Sequence, residues 1–433
     1  MKLYVLADDL TGANDTAVQF ARSGFFAATL LSPDPAPWKG AYDVLALTTE
    51  SRGLSPDAAR ARCRAAVERL APGPAERIYK KVDSALRGNP GAEIAGMLEA
   101  LRPGAVAVLA PAFPANGRTT VDGRQLIYGV PVDQSEMGRD PVAPVRHSYV
   151  PELLRAQAGL EVARVALDEV KLGPGRLRRR IEELRKEGAR AIVVDASTDE
   201  HLEAVAAALL SVEGAVPCGS AGLGAAIARL LRPHATPGVE GRAPEEPPGV
   251  GGARGPLLGI VGSKSETARA QVETARRLRP DAAWVAVPPA AFARSARGDF
   301  DEAVEEAVRA LGAGFDAVLY VEPGEAADPR AIAAGLGELA ARVVGRTAPG
   351  ALYLTGGDTA RSVFDRLGVQ AIEADSEPAP GICAGRARGG VAEGMQVITK
   401  AGSFGDSFTL YRLMARCRGA GGGGEESPFA GGN

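Results

Sequence analysis

Asp8 and Asp9 are adjacent carboxylates at the point where an apolar run, Leu3–Ala7, gives way to Thr11-Gly12 and then to a helical pattern. In an open α/β sheet such a junction is where ligands bind, because strand ends and helix N-termini meet in a crevice. Paired carboxylates there suit three tasks: gripping sugar hydroxyls, holding a metal, or taking a proton from a nucleophilic hydroxyl. Asp ahead of Thr-Gly is also ordinary cap and turn chemistry, so the pair alone divides evenly between function and capping. Three more polar clusters follow later strand candidates: Thr49-Glu50-Ser51-Arg52, the run Lys80 to Asn89, and Pro111 to Thr120. The last opens a long segment without clear elements that reaches Asp140-Pro141, and such segments inside compact domains are usually functional or mobile. Arg52, Lys81 and Arg87 suit a ligand carboxylate, Arg especially because its planar fork meets two oxygens. Asp8, Asp9 and Asp83 suit hydroxyls. Any one basic residue reads more simply as a surface charge or an internal ion pair. Their joint placement after successive strands favours a pocket for a small polyhydroxy acid.

The second half carries three glycine loops after strands. Gly262-Ser263-Lys264-Ser265 follows Leu257–Val261 and precedes a helix from Glu266, a natural anion site because free N–H groups and the helix dipole face the ligand. It lacks the spacing of a Walker A loop. Thr355-Gly356-Gly357-Asp358-Thr359 and Lys400-Ala401-Gly402-Ser403-Phe404-Gly405-Asp406-Ser407 are the other two. Glycine pairs let backbone approach a ligand closely, and their N–H groups can cradle phosphates. Thr359 and Ser407 either donate to a ligand or cap the helices expected there. Three such loops in one domain point to nucleotide phosphates. Gly219-Ser220-Ala221-Gly222-Leu223-Gly224 has the order G-x-x-G-x-G, not that of a dinucleotide fingerprint, and reads as tight strand-to-helix packing.

The elements that must position these residues alternate along the chain. Strand candidates are Leu3–Ala7, Asp43–Thr48, Arg77–Val82, Val106–Ala110, Ala191–Asp195, Leu257–Val261, Trp284–Val287, Ala317–Val321, Ala351–Thr355 and Met395–Thr399. Helical patterns lie between them, as in Ser55–Leu70, where Ser55 is a good N-cap and Pro56 a good first position. The expected class is α/β: two domains, each a mostly parallel sheet flanked by helices, with a ligand cleft between them. Pro, Gly and Glu dominate Arg232 to Pro256, which reads as a linker. The boundaries expected are 1–235 for an acid-binding domain, 236–255 for the linker, 256–418 for a nucleotide-binding domain and 419–433 for a Gly-rich disordered tail.

At 433 residues the chain exceeds one ordinary core. With 45% hydrophobic and 24% charged residues it has a globular composition, and a net charge of −3 argues against nucleic acid as a partner. No apolar run approaches the roughly 20 residues of a membrane span, so no membrane partner is expected and a cytoplasmic location is the default. Cys63, Cys218, Cys383 and Cys417 are widely spaced, as are the three histidines, which disfavours thiolate metal sites, disulfide frameworks and Ser-His-Asp hydrolysis. Homo-oligomerisation stays open.

Five motifs together resemble, in order, the four-carbon acid sugar kinases: Asp8-Asp9-Leu10-Thr11-Gly12-Ala13; Lys81-Val82-Asp83-Ser84-Ala85-Leu86-Arg87-Gly88-Asn89; Pro111-Ala112-Phe113-Pro114 with Gly117-Arg118-Thr119-Thr120; Thr355 to Thr359; and Lys400 to Gly405. The similarity runs from Leu3 to about Leu413. The resemblance implies ATP-dependent phosphorylation of the C4 hydroxyl of D-threonate, D-erythronate or a 3-oxo-tetronate, with the acid in the first domain and ATP in the second. It implies substrate contacts from Asp9, Arg52, Lys81, Asp83 and Ser84, and ATP contacts from Ser263, Gly356, Gly357, Asp358, Thr359, Gly402, Ser403, Phe404 and Gly405. Asp8 and Arg87 join the substrate set on charge and position. Mg²⁺ is expected on the phosphates, with its protein ligands unassigned, and Asp9 and Asp83 rank above Asp406 as proton acceptor. Where the family reads Ser-Thr-Leu-Arg-Gly-Asn-Ile-Gly, this chain has Ser84-Ala85-Leu86-Arg87-Gly88-Asn89-Pro90-Gly91, which leaves the particular acid open. Two other readings stand beside the kinase: a sugar-acid dehydrogenase, which the missing G-x-G-x-x-G disfavours, and a non-catalytic sensor of an acid sugar and a nucleotide.

Overall fold

The computed structural model describes residues 2–32, 34–73, 76–140, 143–232, 255–293, 300–324 and 328–418. Most of the expected linker and the whole expected tail lie outside the described residues. The N-terminal half contributes β1 (Lys2–Ala7), β2 (Ala27–Leu30), β3 (Val44–Thr48), β4 (Glu76–Lys81), β5 (Val106–Ala110), β6 (Arg118–Val121), β7 (Arg124–Ile127), β8 (Val130–Pro131), β9 (Val162–Val165), β10 (Ala191–Val194) and β11 (Ala215–Gly219). The C-terminal half contributes β12 (Leu257–Val261), β13 (Ala283–Val287), β14 (Ala317–Val321), β15 (Ala351–Thr355), β16 (Ala371–Ala379), β17 (Ile382–Arg388) and β18 (Gln396–Lys400). All ten strand candidates are strands, within a residue or two at each end.

Each half has its own mostly parallel sheet. In the first, the order β2-β3-β1-β4-β11-β5-β10-β9 is parallel throughout; in the second, β13-β14-β12-β15-β18 is parallel and β17 and β16 follow antiparallel. The halves are also continuous, because β16 pairs antiparallel with β2 through Ala371 with Leu30, Ile372 with Thr29 and Glu373 with Ala28. One fifteen-stranded sheet therefore crosses the molecule. Helices cover both faces, which is why β1 and β5 read as unbroken apolar runs and not as alternating ones. Val5 and Ala7 enter one core with Phe20 and Val108, while Tyr4 and Leu6 enter the other with Leu45 and Leu109, as successive side chains of a strand must.

Three helices frame the ends of β1, β3 and β4. Helix α1 (Leu10–Arg22) is buried along most of its length and packs against β16 of the other half. Helix α2 (Pro56–Leu70) starts as expected, with the Ser55 Oγ accepting from the Ala58 N–H, and α3 (Pro90–Ala100) has Pro90 at its first position. Gly219 and Gly222 do serve tight packing, since a β-carbon on Gly219 would lie 2.5 Å from the Ala110 carbonyl oxygen and one on Gly222 3.1 Å from Phe113.

The segment from Pro111 to Asp140, expected to lack clear elements, holds the small antiparallel sheet β6-β7-β8. Its turns, Asp122-Gly123 and Tyr128-Gly129, both have positive φ at each residue, the backbone a two-residue hairpin requires. Among the described residues no helix is long and apolar enough to cross a membrane.

Candidate functional site

Asp9 is the N-cap of α1, its Oδ1 accepting the Gly12 N–H at 2.7 Å. It is also part of a charged wall, so capping and function coincide. The Arg52 guanidinium donates from Nε and Nη2 to the two oxygens of Asp8 at 2.7 and 3.0 Å, lies 2.6 Å from Asp9 Oδ2 and 3.1 Å from Asp83 Oδ2. Asp83 also accepts from Arg87 at 2.7 Å and from the Ala85 N–H at 2.7 Å, and Arg87 reaches Asp140 at 3.5 Å. This corrects one expectation. Arg52 and Arg87 do not hold open forks for a ligand carboxylate, because each guanidinium is already spent on protein carboxylates.

The three aspartates differ in proton affinity. Burial pushes each upward, since a charged carboxylate loses its hydration. For Asp8 the ion pair with Arg52 outweighs burial and the carboxyl sits below its ordinary value. For Asp83 the charges of Arg87 and Arg52 outweigh it by more, holding that carboxyl well below the usual range. For Asp9 burial wins over Arg52, and with the neighbouring Asp8 the net shift is upward.

Below this wall Lys80 and Lys81 point to opposite faces of β4. Lys80 is wholly buried and pairs with Glu93 at 2.8 Å, which accepts from Ser51 Oγ at 2.6 Å, tying the ends of β3 and β4 to α3. Lys81 runs instead across the start of α1, where a β-carbon on Gly12 would lie 3.1 Å from its Nζ. Among the described residues Lys81 has no ion pair. Ser84 is buried, and its carbonyl accepts from Gln125 Nε2 at 2.6 Å, docking the β6-β7 hairpin onto the Asp83 turn.

Two residues that sequence reasoning did not select stand close to this wall. Asp15, on α1, is buried with no hydrogen-bond partner for Oδ1 among the described residues, and burial pushes its carboxyl up to about 7. Arg118, at the start of β6, donates from Nη1 to the Asn116 carbonyl at 3.0 Å, and its Nε is buried without a partner among the described residues. Asp15 carried no distinct signal in sequence, because its face of α1 also presents Thr11 and Gln19. Arg118 lay within a quoted motif but had no charge partner in sequence to mark it.

In the C-terminal half the three glycine loops converge. The Gly262 N–H donates to Thr355 O at 3.3 Å, the Gly356 N–H to Lys400 O at 3.1 Å, and Ser265 Oγ to Gly402 O at 2.8 Å. A β-carbon on Gly402 would collide with Ser263 Oγ, and one on Gly262 with Thr359 Oγ1. Gly356 has φ +99°, a backbone that favours glycine. Gly356 is also the N-cap of the helix Gly357–Leu367 and Phe408 that of the helix Thr409–Cys417, so neither Thr359 nor Ser407 caps. Asp358 stands exposed in the first turn of its helix. The loop from Ser403 to Gly405 is fixed by Gln271, whose Nε2 donates to the Phe404 and Asp406 carbonyls at 3.0 and 2.9 Å. Asp406 is engaged locally, with Arg412 at 2.8 Å and the Phe408 N–H at 3.0 Å. Lys400 was not singled out from sequence. It is buried, donates to the Ala401 and Gly402 carbonyls at 2.8 and 3.1 Å, and has no carboxylate partner among the described residues. Burial alone pulls its ammonium down to about 7.

The two sets of residues meet at Asp9. A β-carbon on Gly357 would lie 3.3 Å from Asp9 Oδ2 and 3.2 Å from Thr11 Oγ1. Asp9 thus stands between the N-termini of two helices, one from each half. Asn14 Nδ2 donates to Thr399 Oγ1 at 3.0 Å, and Arg118 lies over the Phe404 ring at 5.0 Å, closing the same seam on either side. An anion at the Gly356-Gly357 turn would face Asp9 directly, with the Arg52 cluster behind it.

Comparison with known proteins agrees with this division. A family described as the sugar-binding N-terminal domain matches residues 3–227, and one described as the nucleotide-binding C-terminal domain matches residues 258–410. The chain is 37% identical to D-threonate kinase of Bordetella bronchiseptica, covering 96% of this chain and 97% of that one. It is 31% identical to D-erythronate kinase of Heliobacterium modesticaldum, covering 94% of each, and 32% identical to 3-oxo-tetronate kinase of Methylobacterium radiotolerans, covering 96% and 99%. A solved protein from Salmonella typhimurium LT2 shares the fold with a TM-score of 0.76 at 23% identity, covering 95% of this chain and 98% of that one. Full-length similarity of this degree shows that the chain belongs to the four-carbon acid sugar kinase family.

Proposed function

We propose that the protein transfers the γ-phosphoryl group of ATP to the C4 hydroxyl of a four-carbon acid sugar such as D-threonate, D-erythronate or a 3-oxo-tetronate. The observation that carries this reading is the position of Asp9, bound to Arg52 on one side and against the helix N-terminus at Gly357 on the other. Phosphoryl transfer needs positioning and charge stabilisation more than covalent chemistry, and this seam offers both. Asp8, Asp9, Arg52, Lys81, Asp83, Ser84 and Arg87 form the acceptor side. Ser263, Gly356, Gly357, Asp358, Thr359 and the loop from Lys400 to Gly405 form the ATP side. Units of 1–235 and 256–418 serve the two substrates.

Asp9 takes the proton of the C4 hydroxyl. Its carboxyl is the one of the wall whose proton affinity is raised, whereas Asp83, held ionised by two guanidinium groups, is a poor acceptor and serves to fix Arg52 and Arg87. Lys400 neutralises phosphate charge from below the glycine loop. The residues present fit Mg²⁺ carried on the ATP phosphates: Asp358 is an exposed carboxylate in the first turn of the helix Gly357–Leu367, and Mg²⁺ usually needs only one or two carboxylates beside phosphates and water. Asp358 would hold it, and the ion would offset the phosphate charge.

A coupled assay of ADP release with Mg²⁺-ATP and each of the three acids tests the proposal. ADP release that depends on at least one acid is the expected result. ATP left intact with all three, or reduction of NAD by any of them, would overturn it.

A further inference from the structure

With Arg52 and Arg87 spent on Asp8, Asp9, Asp83 and Asp140, the carboxylate of a bound acid needs another counter-charge. On the acceptor side two cations remain without a carboxylate partner among the described residues, Lys81 and Arg118. Arg118 is 7% exposed, its Nε has no acceptor, and its one side-chain bond, from Nη1 to the Asn116 carbonyl, leaves the rest of the fork unused. Asp15, 4% exposed, is equally unpartnered. Lys81 and Arg118 are both near enough to act on Asp15 electrostatically, yet none of the three forms an ion pair with another. Buried ionisable groups left unpaired are costly, so a cluster of such groups of both signs is suited to a ligand that supplies the matching groups. An acid sugar has them: a carboxylate for the cations and a hydroxyl to donate to Asp15. The Phe404 ring under the Arg118 guanidinium fixes the plane of the fork from the nucleotide side.

We propose that Arg118, acting with Lys81, binds the carboxylate of the acceptor and is a specificity-determining residue that makes this site take a sugar acid in preference to an uncharged polyol. Asp15 then accepts a hydrogen bond from a hydroxyl of the same ligand, and the C4 end lies toward Asp9 and Gly357. This rests on the proposed acceptor class. Arg118 was not among the substrate residues expected from sequence, and the substrate side thereby extends onto the β6-β7-β8 sheet.

Calorimetric titration of the ADP-saturated protein tests it, with D-threonate, D-erythronate, a 3-oxo-tetronate and the matching uncharged four-carbon polyols as ligands. Arg118→Met should weaken binding of the acid by about 100-fold, the size of a lost charge-assisted pair, and shift the polyol by less than about 3-fold. Arg118→Lys, which keeps the charge without the fork, should fall between. Unchanged acid affinity, or equal weakening of acid and polyol, would overturn the proposal. Retained ADP affinity reports that Arg118→Met is folded; if it is lost, the Arg118→Lys comparison decides alone. Should the parent protein bind no four-carbon acid at all, the proposed acceptor class fails with it, an outcome distinct from an Arg118 variant that binds normally.

Discussion

Asp9 does three things at once: it caps α1, pairs with Arg52 and faces the Gly357 turn. Asn caps helices as well as Asp does, so Asp9→Asn removes the proton acceptor and leaves the cap. We expect kcat to fall by about 100-fold or more while ADP affinity moves by less than about 3-fold, measured by steady-state kinetics and calorimetry; a parental rate would assign the proton elsewhere. Lys400 supplies a second test. Its ammonium is lowered to about 7 in the free protein, and nucleotide phosphate favours the charged form, so binding above pH 7 takes up a proton. ADP affinity should therefore drop by about 10-fold between pH 7 and pH 8.5, and Lys400→Met should flatten that slope, as titrations at the two pH values would show. For the free protein the sign is opposite: a lysine lowered by folding binds fewer protons folded than unfolded above pH 7, so its contribution to stability rises with pH there. The wall of Asp8, Asp9, Arg52, Asp83 and Arg87, with Lys81 beside it, was legible in sequence because each residue lies at or just after a strand end. What was not legible is which cations remain unpaired, since ion pairing between Arg52 and residues more than forty positions away in Asp8 and Asp9 depends on three-dimensional distance.

At the scale of elements, the site is two helix N-termini brought face to face by the sheet. Gly357 is the first residue of its helix and has no positive φ, so Gly357→Ala needs no strained backbone and should not cost local stability. Its β-carbon would press on Asp9 and Thr11 at 3.3 and 3.2 Å, and spreading that contact misplaces the reacting groups. We expect kcat to fall by about 10-fold with little change in melting temperature, read by kinetics and differential scanning fluorimetry, because small displacements at a reacting centre are costly. Most buried parallel strands were plain from their apolar runs, while β2 and β9, of four residues each, and β11, which contains Pro217, escaped. Also missed were β16 and β17, which carry Glu373, Ser376, Glu377, Arg386 and Arg388 and lie in an antiparallel hairpin, where one face need not be apolar. The Asp122-Gly123 hairpin did leave a sequence signal in its Asp-Gly pair.

Over the whole molecule, the pairing of β2 with β16 makes one sheet of what the sequence presents as two, and Leu10 and Leu31 of the first half enter a core built mainly from the second. A two-domain reading alone would allow independent unfolding. Shared strands and a shared core instead predict a single calorimetric endotherm, moved as a unit to higher temperature by ADP; two separable endotherms would show that the seam contributes little. The central claim, that this seam moves a phosphoryl group onto the C4 hydroxyl of a four-carbon acid, is tested most directly by phosphorus NMR of the reaction with Mg²⁺-ATP and D-threonate, D-erythronate or a 3-oxo-tetronate. The prediction is a phosphomonoester signal split into a triplet by the two C4 protons, growing in equal amount with ADP. Release of inorganic phosphate alone, a doublet from a secondary carbinol, or no change in ATP with any of the acids would contradict it.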